Sequence, residues 1–128
     1  MTKTSAGYFQ DELLNWFKTL DFCRSEIPEY EARMVELIQR NPIPELSANA
    51  ETLLNQLADL HNQINLLQME IKQQKNGLSQ QSRNNGSNDD NTMVSQNALR
   101  ERMQVIEKDF VETKYTCHQF LASTYNAS

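Results

Sequence analysis

The chain has 128 residues, 38% of them hydrophobic and 23% charged, with a net charge of −5. That is enough for one domain, residues 1–128, to hold an apolar core without disulfides or metals. The acidic balance argues against nucleic acid or an anionic membrane as partner. No apolar run approaches the roughly 20 residues that span a bilayer, and Gly 3 with Pro 3 is sparse punctuation for a β-protein.

The opening MTKTSAGYFQDELLNWF reaches Asp11 and Glu12 before a long apolar block can form. It is a poor secretion signal, so a cytoplasmic location is expected. From Phe9 the apolar residues fall at Leu13, Trp16, Leu20, Cys23, Ile27, Tyr30, Met34 and Leu37. Steps that alternate between four and three trace the a/d seam of a long helix, expected over residues 8–40. Pro28 interrupts the composition but not the phase. It falls at a b position behind the seam, where water can satisfy the carbonyl that loses its N–H partner. One helix kinked near Pro28 is therefore expected. The alternative starts a new helix there, with Ser25 as N-cap.

NPIPELSAN (Asn41 to Asn49) follows. Its prolines stop the first helix, and Ser47 or Asn49 can cap a second, expected over 48–75. There the seam is Ala50, Leu53, Leu57, Leu60, Ile64, Leu67 and Ile71. Residues 76–92 hold a single large apolar side chain, Leu78, among Asn, Ser, Gln, Gly and Asp. Such a stretch buries too little surface to offset its ordering entropy and is expected to be a mobile loop. The third helix, over 94–123, has the seam Leu99, Met103, Ile106, Phe110, Thr113, Cys117 and Phe120.

A short first connection makes helices 1 and 2 antiparallel, and a long second one lets helix 3 return beside them. The expected fold is all-α: an up-down-up three-helix bundle of long, coiled-coil-like helices. Apolar residues that widen the seams are Leu14, Phe17, Val35 and Ile38 in helix 1, Leu54 and Ala58 in helix 2, and Val111, Leu121 and Tyr125 in helix 3. The middle of the rod offers Arg24, Glu31 and His61 instead.

The residues that could carry chemistry are scattered. Glu26, Glu29 and Glu31 occupy g, c and e positions, so they read as a solvated face rather than a di-metal site, which needs inward carboxylates and Glu-x-x-His pairs. His61 and His118 are preceded at that spacing by Ala58 and Tyr115, and both read as surface or boundary histidines. Cys23 and Cys117 sit on seams. In an up-down-up bundle Cys117 is expected level with Leu37, roughly 20 Å from Cys23, so both are expected free, buried and inert. Gly7, Gly77 and Gly86 build neither a phosphate loop nor a nucleophile elbow. The chain reads as no enzyme, with no catalytic residue, cofactor or metal.

A non-enzymatic bundle for protein–protein interaction or assembly is the expectation that remains. Tyr8, Leu14, Phe22, Val35 and Ile38 are the candidate partner-binding residues, and self-association into a homodimer is one use of them. Rival readings are a bundle that holds a small apolar ligand or a metal, and a regulatory subunit whose 76–92 loop orders on binding.

Overall fold

A computed structural model describes residues 5–84 and 89–127, with side-chain detail for 7–80 and 91–124. The described residues form three helices, α1 (Ser5–Arg40), α2 (Pro44–Asn84) and α3 (Asp89–Ala127), and no strand. They pack lengthwise as an all-α three-helix bundle.

α1 runs unbroken through Pro28, which is exposed. Ser25 does not cap a new helix. Its Oγ donates backwards to the Phe22 carbonyl at 2.6 Å, the i−3 bond of a serine inside a helix. The end of α1 is marked by Asn41, whose backbone N–H donates to the Leu37 carbonyl at 3.0 Å. Only residues 41–43 separate it from α2.

α2 starts earlier than its polar cap candidates suggest. Pro44 is its first residue, where a missing N–H costs nothing, and the Ile43 carbonyl already accepts from the Ser47 N–H at 2.9 Å. Ser47 and Asn49 are thus inside the helix. The larger correction is at the other end. Residues 76–84 continue α2, and 89–92 already belong to α3, so the expected loop is helical over most of its length; 85–88 lie outside the described residues. Packing explains why composition misled. Leu78 is 2% exposed and extends the α2 seam through Gln74, while Thr92 and Gln96 extend the α3 seam back from Leu99. One large apolar anchor and two polar side chains with partners suffice where neighbouring helices already offer a surface.

The core is the three seams. All seven α2 seam residues are buried, as are Leu13, Leu20, Cys23, Ile27, Tyr30, Met34 and Leu37 of α1, and Leu99, Met103, Ile106, Phe110 and Cys117 of α3. Phe9, Trp16 and Phe120 pack against this core half-buried. Near its end α3 buries Leu121 rather than Phe120, a drift of one position that an untwisted helix makes against a strict heptad. Ala58 and Val111, expected to widen the seams, are exposed.

Polar bonds between helices fix direction and register. Arg24 donates to Asn65 and Gln68, Gln68 donates to the Phe17 carbonyl, and Lys72 lies over the Phe17 ring. Partners that fall on α2 as they rise on α1 mean antiparallel helices. Gln74 with Gln96, and Glu70 with Arg102, give the same sense for α2 and α3. Between α1 and α3 the pairs Glu12–Arg100, Glu26–Lys114 and Tyr30–His118 all have a separation of 88 residues, so these helices are parallel with one constant offset. The chain therefore runs up, down and up.

Candidate interaction surface

The catalytic-looking residues resolve into structural pairs. Glu29 bonds Arg33 one turn away on the exposed face, as a solvated glutamate does. Glu26 is different: only 24% exposed, it faces Lys114 of α3 at 3.4 Å. Its g position belongs to the α1–α3 contact, so the wet-surface reading holds for Glu29 but not for Glu26. His118 is exposed, as a surface histidine is expected to be, but it is not isolated. Its Nε2 lies 2.8 Å from the Tyr30 hydroxyl, with the rings edge-to-face at 5.3 Å between centroids. Burial pushes the Tyr30 phenol above its ordinary pKa, so it is the neutral hydroxyl that meets the imidazole. His61 Nδ1 lies 3.3 Å from the Asn65 amide on its own helix.

Cys23 and Cys117 are free and buried, and burial raises both thiol pKa values. At Cys23 the charges of Glu26 and Glu107 raise it further. Both thiols stay protonated and unreactive. Cys117 is not level with Leu37. The offset of 88 sets it beside Glu29, about 9 Å of helix rise from Cys23. The reason is the length of α2, which carries the chain past the start of α1 before α3 turns back. Among the described residues no three His, Cys, Asp or Glu side chains gather to hold a metal ion, and no helix is long and apolar enough to cross a membrane.

A polar layer near the start of α1 was missed by seam counting. Gln96 is fully buried at an a position. Its amide nitrogen donates to the Phe9 carbonyl at 3.3 Å and to Glu12 at 2.9 Å, and its oxygen accepts from Gln74 at 3.3 Å. Arg100 closes the group with two bonds to Glu12, at 2.7 and 3.0 Å. Burial pushes the Glu12 carboxyl up, but the bonds from Arg100 and Gln96 and the guanidinium charge outweigh it and leave the pKa below 4.5. The signal was available. Stepping back three and four residues from Leu99 lands on Gln96 and Thr92, and only an apolar filter hides them.

The five candidate partner residues all lie on α1 but do not form one patch. Tyr8, Leu14, Phe22 and Val35 are exposed, whereas Ile38 packs against the core. Leu14 and Val35 share the heptad position of the exposed Pro28, yet stand 21 residues, roughly 30 Å, apart. Phe22 belongs to the other flank, one turn before Glu26. Across from it, one turn before Lys114, is Val111, and Tyr115 follows on the same helix. The Glu26–Lys114 pair thus sets Val111 level with Phe22 on the α1–α3 flank, with Tyr115 one turn further along α3; each is more than 60% exposed. Reasoning from single helices could not assemble that group, because it depends on the offset between α1 and α3. No known protein family, curated protein or solved structure matches this chain, so these side chains alone speak for its function.

Proposed function

We propose that this chain is a non-enzymatic helical-bundle module for protein assembly, which docks a second copy or a helix of another protein on the α1–α3 flank. The observation that supports the reading is the exposure of Phe22 and Val111 at one level, with Tyr115 one turn further along, outside a core that the three seams already close. Covering such side chains releases about 25 cal/mol per Å² of apolar surface. Aromatic side chains such as Phe22 and Tyr115 are enriched at the centres of protein interfaces. The Glu26–Lys114 pair beneath them holds the two helices in register and so keeps the group together.

Light scattering and crosslinking of the purified chain, alone and in host extract, test this. Phe22→Asp, with and without Val111→Asp, is expected to reduce the assembled mass or the crosslinked partner while circular dichroism keeps its helical signal. A wild-type chain that stays single and crosslinks to nothing, or variants that assemble as well as wild type, contradicts the reading.

A further inference from the structure

On the opposite flank, α1 and α2 enclose a cleft of about 210 Å³ lined by Leu13, Leu14, Phe17, Ile71, Lys72 and Lys75. Its floor is the core itself, since Leu13 and Ile71 are buried. Leu14 forms an exposed lip and Phe17 a half-buried wall, and the Lys72 Nζ stands 5.3 Å from the centre of the Phe17 ring. The volume is below the roughly 300–1,000 Å³ of small-molecule sites and suits a single apolar side chain.

Charge points to what carries that side chain. Arg24, Arg33, Arg40, Arg100, Arg102 and Lys114 each meet a carboxylate. Among the described residues Lys72 and Lys75 meet none, and neither do Lys18, one turn beyond Leu14, and Lys108 on α3. On a chain of net charge −5, two of these unneutralised cations, Lys72 and Lys75, stand together on the lining of one apolar cleft. Lys72 and Lys75 are three residues apart on α2, the spacing at which helical side chains share a face.

We propose that this cleft docks an acidic helical segment of a partner protein. One apolar side chain of that segment enters between Leu14 and Phe17, and carboxylates one turn to either side meet Lys72 and Lys75. The mode is helix-in-groove binding, with the apolar anchor giving affinity and the lysines giving selection. The inference rests on the assembly reading only in taking the chain to be a protein binder, and it uses a different flank.

The probe is a fluorescently labelled helical peptide of Glu and Ala with a central Leu, followed by anisotropy with the full chain. Two control peptides carry Lys in place of Glu, or Ala in place of the central Leu. The Glu/Leu peptide is expected to bind, each control to bind about tenfold more weakly or worse, and added salt to weaken binding. Lys72→Glu with Lys75→Glu is expected to reverse the preference towards the Lys peptide, which a merely destabilised fold would not do. No binding of the Glu/Leu peptide, equal binding of both charge types, or unaltered preference in the double variant overturns the proposal. Decanoate binding in the cleft without peptide binding also overturns it, in favour of a lipid carboxylate. If the peptide fails while Phe22→Asp still disrupts assembly, this cleft alone is excluded; if both fail, the assembly reading falls with it.

Discussion

Glu12 shows how a single side chain can be polar, half-buried and stabilising at once. It accepts from Gln96 and Arg100 of α3, and its pKa is held below 4.5 by those bonds against the opposing effect of burial. A carboxyl whose folded-state pKa is depressed stabilises the fold above its unfolded pKa, and that contribution disappears as pH falls through the folded value. Thermal unfolding followed between about pH 6 and pH 3 is therefore expected to show a steeper acid loss for wild type than for Glu12→Gln. Equal slopes for the two chains contradict a bonded Glu12. The neighbouring Gln96 keeps the step of the seam but not its polarity: glutamine at a buried a position looks like a lapse in the pattern until Glu12, Gln74 and the Phe9 carbonyl are seen to satisfy it.

At the scale of the element, periodicity was a better guide than composition. The alternation of four and three carried α1 correctly through Pro28, because the proline lies behind the seam and the Phe9-to-Leu37 register is kept on both sides of it. Composition failed over residues 76–92, where Asn, Gln and Ser suggested a loop and the chain is mostly helical. Leu78 is the reason α2 extends, since its buried side chain anchors a turn that has little else to offer the core. Leu78→Ala is expected to destabilise the chain by about 2–5 kcal/mol, the range for truncating a buried leucine. Denaturant unfolding that places the variant within about 0.5 kcal/mol of wild type, as surface substitutions are, would return this segment to the status of a loop. The start of α2 carries the same lesson in reverse. Pro44 looks like a breaker and is the first residue of the helix.

For the whole molecule, hydrophobic seams could announce three rods but not the depth at which they are set against one another. That depth is decided by the length of α2 and by cross-helix polar pairs, which do not show in any one helix. The separation of 88 residues shared by Glu12–Arg100, Glu26–Lys114 and Tyr30–His118 expresses it. It moves Cys117 down to Glu29 and sets Val111 level with Phe22, with Tyr115 one turn further along α3. Both surfaces inferred here depend on it or on its α1–α2 counterpart, the contact of Phe17 with Gln68 and Lys72. The register can be measured with spin-label pairs in a chain whose native cysteines are replaced by alanine. With α1 and α3 parallel at this offset, labels at Asn15→Cys and Gln104→Cys are expected close together. Labels at Asn15→Cys and Ser123→Cys are expected to be separated by about 30 Å of helix rise. Pulsed dipolar distances in the opposite order, short to position 123 and long to position 104, would contradict the up-down-up bundle and everything built on it.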